Sequence, residues 1–252
     1  IFFSIMFNQL KLENISLNNN KKTLLYNLNI EIVEKEKIAV IGPTGAGKTL
    51  FLNLLCFGLR PSEGKIFINT ENFWEKNNFF QNQTRKFFYL IPQIPDMPNR
   101  QRVISALHAS YINKWSLLKV IASLFFPFKK KSIELVLKEL GLFEKIDETI
   151  ENLSGGQRQA ISLARIFLSQ PEVMILDEPL SAVDPNRSDF LLKKILEYQK
   201  KTMATIVCSL HQPDIAKKYF TRVIGINNGK IVYDGTSKKL SQTQQEKIYK
   251  VK

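Results

Sequence analysis

The sequence predicts an α/β fold with an N-terminal antiparallel β subdomain and an α-helical subdomain inserted between about residues 94 and 160. Three observations carry this. Short alternating apolar runs open the chain, first Leu10, Leu12 and Ile15, then Leu28, Ile30 and Ile32, with a polar turn over 18–22 between them. That alternation is the period of half-buried antiparallel strands. Next, Ile38-Ala39-Val40-Ile41 is an unbroken apolar run that ends in glycines and leads into a helix starting near Lys48, the opening of an α/β unit. Finally, the same rhythm returns after about residue 160.

The remaining elements follow in order. Strands are expected at 65–69 and 87–91. The stretch from about 99 to 152 reads as largely helical, with Ile133, Val136, Leu137 and Leu140 at helical spacing and Gly141 as the stop. A buried strand is expected at 173–176, a helix at 186–199 and a strand at 204–208. A strand pair at 223–227 and 230–233 turns at Asn228-Gly229. No internal repeat is visible, so one domain is expected over 6–241, with 242–252 a C-terminal tail.

Composition narrows the functional classes. With 252 residues, 44% of them hydrophobic, the chain can build a full core, and no low-complexity block points to disorder. The net charge of +13 favours acidic partners, but the cations are dispersed and the only run of three is Lys129-Lys130-Lys131, so a general Lys and Asn bias accounts for it better. Cys56 and Cys208 lie in apolar segments and read as buried thiols of a reducing compartment, not a disulfide. Two cysteines and two histidines exclude a structural zinc cluster. The most apolar window, 117–128, is too short to span a bilayer and carries Lys119. Residues 1–5 lack a basic flank and a cleavage pattern, and Met6 is the expected natural start.

The chemistry begins at Gly42-Pro43-Thr44-Gly45-Ala46-Gly47-Lys48-Thr49, which fits G-x-x-x-x-G-K-[ST] between a strand and a helix. Glycines let the backbone wrap a phosphate chain with its amides inward, and the helix aims its positive end at the same anion. Lys48 can reach the β- and γ-phosphates and the Thr49 hydroxyl can ligate Mg²⁺. This is a P-loop NTPase core; alone, it does not separate kinase, GTPase and transport ATPase. Leu50 stands where a second hydroxyl often follows, a modest loss of α-phosphate contact. Downstream, the apolar run 173–176 ends in Asp177-Glu178. Asp177 suits the Mg²⁺ shell and Glu178 the polarising of an attacking water. Leu153-Ser154-Gly155-Gly156-Gln157 opens a helix with a hydroxyl and free amides, a second phosphate-binding element. A single phosphate chain needs one such element, so the second is expected to serve a nucleotide held by another copy.

In this order of motifs the sequence resembles the ABC ATPase family over nearly its whole length. The phosphate loop is followed by Gln93 after Phe88-Tyr89-Leu90-Ile91, then by 153–157, Asp177-Glu178, Ser181-Ala182-Val183-Asp184 and His211. The resemblance implies two ATP molecules sandwiched head-to-tail between two ATPase subunits, with a homodimer expected. Lys48, Thr49, Gln93, Asp177, Glu178 and His211 would act from one side, and Ser154, Gly155, Gly156 and Gln157 from the other, with Asp184 in the dimer-contact loop. His211 would hold the γ-phosphate and the attacking water, and Gln93 would sense Mg²⁺. The family's adenine-stacking ring should fall near Asn18 or Asn19, where there is none, and Tyr26 comes too late in the segment.

The Trp115-Ser116-Leu117-Leu118 segment and Leu210-His211-Gln212 are similar to the ATPases of bacterial phosphonate importers. That resemblance implies uptake of a phosphonate or another phosphorus oxyanion through a separate integral membrane permease. A substrate-binding protein would act indirectly, this chain would sit on the cytoplasmic face of the inner membrane, and no nucleic acid would be bound. The aromatic-rich stretch 103–128 fits either a dock for a permease helix or the insert's own core. A soluble, non-transport ABC ATPase acting on nucleic acid or ribosomes is the alternative; the second engine or long coiled-coil insert usual in such proteins is missing. A degenerate, ATP-binding regulatory subunit is opposed by Glu178 and His211.

Overall fold

Residues 7–19, 22–115, 128–181 and 183–250 are described by a computed structural model. The sequence-based readings of residues 1–5, of Ala182 and of the segment 116–127 therefore lie outside the described residues. By contacts the chain divides into two units. One comprises residues up to Leu90 together with Glu172–Glu178 and Met203 onward; the other comprises Ile91–Pro171 and Pro179–Thr202, wider than the 94–160 insert expected from sequence.

The first unit contains two sheets. Strands β1 (Gln9–Asn19) and β2 (Lys22–Val33) pair antiparallel as the alternating runs predict, and β4 (Glu63–Ile68) and the short β5 (Glu71–Asn72) complete the order β2-β1-β4-β5. Every second residue faces inward, so Leu10, Leu12, Ile30 and Ile32 are all buried. Below them Phe57 stacks on Phe73 with centroids 3.8 Å apart, and Phe88 meets Phe57 edge-on at 5.0 Å.

The second sheet has six strands in the order β10-β9-β3-β8-β7-β6. These are β3 (Lys37–Ile41), β6 (Phe88–Ile91), β7 (Val173–Leu176), β8 (Thr205–Leu210), β9 (Arg222–Asn227) and β10 (Lys230–Thr236). Strands β9, β3, β8 and β7 run parallel. Strands β7 and β8 are buried along their whole length, which is why they read as apolar runs without alternation. Asn228 (φ 47°) and Gly229 (φ 72°) make the tight turn into antiparallel β10. The segment read as a C-terminal tail contains an eight-residue helix, Gln242–Tyr249, started by a reciprocal cap between Ser241 and Gln244.

The second unit is helical. Val103–His108, Lys130–Glu139, Gly155–Ser169 and Pro185–Thr202 pack around Leu107, Ile133, Leu137, Leu163 and Leu192. Phe167 stacks on Tyr198 at 4.6 Å, and the Arg187 guanidinium donates to the carbonyl of Leu140, the residue that ends helix Lys130–Glu139. Gly141 follows that end with φ 64°, the left-handed stop expected of it.

Candidate functional site

Strands β3, β8 and β7 are neighbours, and their carboxyl ends bring the expected residues together. Ile41 stands opposite Leu210 and Leu176 opposite Cys208, so the phosphate loop, Asp177-Glu178 and Ser209 to His211 leave the sheet at one edge. This edge is where α/β sheets bind ligands. The loop itself depends on glycine: Gly42 has φ 155°, and a Cβ there would lie 2.0 Å from the Ile226 carbonyl oxygen. The β9–β10 turn props the loop, because the Gly229 N–H donates to the Ala46 carbonyl at 2.9 Å.

Lys48 is 5% exposed. Its ammonium donates to the Gly42 and Pro43 carbonyls at 2.9 and 3.2 Å and lies 3.5 Å from Glu178 Oε1. The other oxygen of the same carboxylate is 2.7 Å from His211 Nε2. Thr49 donates its hydroxyl to Asp177 Oδ2 at 2.7 Å. Lysine, threonine, two carboxylates and histidine thus form one connected set, drawn from three strand ends and the start of helix Lys48–Leu55.

Ser209 organises the acidic pair, a role that the motif reading missed. This fully buried hydroxyl donates to Asp177 Oδ1 at 2.7 Å and accepts from the Glu178 N–H at 2.7 Å. Glu178 has φ 46°, a left-handed conformation that costs a non-glycine residue about 1–3 kcal/mol and persists only where its surroundings enforce it. Next along β8, burial and the Asp177 charge push the Cys208 thiol far above its ordinary range.

An oxygen-rich pair of Thr49 and Asp177 is the donor set of a hard divalent ion shared with phosphates, which needs only one or two protein ligands. Among the described residues no group of three or more His, Cys, Asp or Glu could hold a metal, so such an ion fits only together with a phosphate ligand.

The other expected residues lie in the helical unit, except for Gly45, Thr44 and the rest of the loop. Gln93 is exposed just after β6. Ser154 caps helix Gly155–Ser169: its Oγ accepts from the Gln157 N–H at 3.2 Å while Gln157 Oε1 accepts from the Ser154 N–H at 2.8 Å. This reciprocal box uses the serine as an acceptor, leaving its O–H to donate outward, and leaves the first-turn amides of Gly155 and Gly156 for an anion. The Gln157 side-chain oxygen is committed to the box. Asp184 Oδ1 accepts from the Arg187 N–H at 2.9 Å at the start of the next helix.

The profile of the ABC transporter family matches residues 25–181. The chain belongs to that family. Phosphonates import ATP-binding protein PhnC 1 of Pseudomonas syringae pv. tomato is 36% identical over 95% of this ABC ATPase and 91% of its own length. The protein named Phosphonates import ATP-binding protein PhnC in Pseudomonas entomophila is 33% identical over 95% and 91%. Among solved structures, the dimeric bacterial ABC transporter cassette MJ0796 superposes with a TM-score of 0.78 at 20% identity, covering 90% of this chain and 98% of the other. CbiO1 of Clostridium perfringens, part of the cbiONQ transporter complex, gives 0.76 at 23% over 96% and 94%.

Proposed function

We propose that this chain is the ATP-hydrolysing subunit of an importer for phosphonate or a related phosphorus oxyanion, working as a dimer on the cytoplasmic face of the membrane against a separate permease. The observation that carries the ATPase reading is the connected set of Lys48, Thr49, Asp177, Glu178 and His211 at one sheet edge. The substrate class rests on the names of relatives aligned over 91% of their length. Among the described residues no helix is long and apolar enough to cross a membrane, in keeping with a permease on a separate chain. A substrate-binding protein is expected on the far side of the membrane.

Lys48 and the loop amides would bind the β- and γ-phosphates, and Thr49 and Asp177 would hold Mg²⁺. The ion supplies positive charge against the phosphates. Glu178 would accept a hydrogen bond from the attacking water and hold it in line, while His211 Nε2 would meet the γ-phosphate. Because phosphoryl transfer demands little covalent chemistry of the protein, positioning and charge neutralisation carry the rate. From the partner copy, Ser154 and the amides of Gly155 and Gly156 would close over the same phosphate, and Gln93 would pass the state of the site to the helical unit. Closing and opening of the dimer is the motion passed to the permease.

Reconstitution of the chain with its permease and binding protein in liposomes tests this reading. ATP turnover should rise with a simple alkylphosphonate and not with sulfate or an amino acid. Stimulation by an unrelated solute alone would reject the substrate class, and absence of any Mg²⁺-dependent turnover would reject the ATPase reading.

A further inference from the structure

The C-terminal helix Gln242–Tyr249 is held firmly for so short an element. Its start carries the Ser241–Gln244 box, Ile248 is fully buried against Gly225, and the Asn227 side-chain amide donates to the Lys250 carbonyl at 3.0 Å. A Cβ at Gly225 would lie 2.5 Å from Ile248 Cδ1, so glycine is what lets the helix seat on β9. The result of this anchoring is the placement of one phenol. The Tyr249 hydroxyl donates to the His211 carbonyl at 3.0 Å. Burial raises the pKa of that phenol, so it stays a protonated donor to this carbonyl.

His211 needs such a support. It sits just past the end of β8, its side chain is 46% exposed, and its Nε2 lies 2.7 Å from Glu178 Oε2. A loop residue with an exposed ring holds that position only if its backbone is tied down. We propose that Tyr249 is a positioning residue for ATP hydrolysis: from the anchored C-terminal helix, its hydroxyl fixes the backbone of His211 and so sets where the imidazole stands beside Glu178. The proposal rests on the reading of His211 as the residue that meets the γ-phosphate.

The test compares Tyr249→Phe, His211→Ala and the double variant in the full chain assembled with its permease. Tyr249→Phe keeps the ring and removes only the hydroxyl. Turnover at saturating ATP should fall about fivefold, the worth of one ordinary hydrogen bond, with the KM for ATP within about twofold. In the His211→Ala background the same change should have no further effect. In the NMR spectrum of the isolated chain, Tyr249→Phe should move the ring signals of His211 and leave those of His108 in place. Wild-type turnover in Tyr249→Phe, an undiminished fivefold loss on top of His211→Ala, or unmoved His211 signals would each overturn the proposal. A fully active His211→Ala would instead remove the reading of His211 on which it rests.

Discussion

Replacing Ser209 by alanine should damage both the fold and the site. The serine is fully buried and makes two contacts of 2.7 Å, one to the Asp177 carboxylate and one from the Glu178 N–H. A buried N–H left without a partner costs about 1–3 kcal/mol, and a lost hydrogen bond to a charged group about 1.5–3 kcal/mol. Thr49 still serves Asp177 through its other oxygen, and the two losses share a site and do not simply add. Together they amount to about 3 kcal/mol. For a chain of this size that corresponds to a fall in Tm of about 6–12 °C. Glu178 is also released from its left-handed backbone (φ 46°), so turnover should fall at least about tenfold. Ser209→Thr retains the hydroxyl and adds a methyl group, which costs about 1–2 kcal/mol of overpacking but should spare turnover. Differential scanning calorimetry and a phosphate-release assay read both effects. A Ser209→Ala protein melting within 2 °C of wild type with full turnover would refute the reasoning.

Other consequences can be measured on the same footing. Gly229→Ala would bring a Cβ to 2.2 Å from the Leu24 carbonyl oxygen at a φ of 72°, so the turn must shift and the Ala46 support with it; equilibrium binding should show at least about tenfold weaker ATP affinity. Arg222 forks onto Asp234 at 2.7 and 2.8 Å and also reaches Glu36 and the Glu31 carbonyl, so Arg222→Lys, which cannot make the fork, should lose about 1–2 kcal/mol in urea unfolding. Burial raises the pKa of both Cys56 and Cys208, so neither should react with iodoacetamide at pH 8 until the chain is unfolded. Because the folded-state thiol values lie above the ordinary 9.0, their contribution to stability is present below that pH and is lost as the pH rises above it, visible as a declining Tm.

The parts of the site that lie in contiguous motifs were legible from sequence. The phosphate loop reads directly because its glycines, lysine and threonine act within a single turn, and β7 reads because full burial on both faces removes polar residues from it. Ser209 was not legible as a site residue: its role depends on the pairing of Leu176 with Cys208, which sets two distant strand ends side by side. The support of Ala46 by Gly229 is equally long-range, although the Asn-Gly turn itself was plain. In the case of the C-terminal helix a local signal was present, the Ser241-x-x-Gln244 box, and the polar composition around it obscured the element. The helix Pro185–Thr202 was legible as an element, but its grouping with Ile91–Pro171 comes across an intervening strand, a discontinuity that periodicity cannot register. Tyr26, close by Gly229, presents an exposed ring with the Lys230 ammonium 5.4 Å from its centroid.

Whether two copies share each nucleotide is best decided by sedimentation of Glu178→Gln with and without ATP and Mg²⁺. This variant keeps the phosphate loop intact and lacks the carboxylate proposed to hold the attacking water, so bound ATP should persist. The account predicts a monomer that becomes a dimer carrying two ATP molecules, and a return to monomer when Ser154 is also changed to arginine. A variant that binds ATP tightly yet sediments as a monomer at every concentration would contradict it.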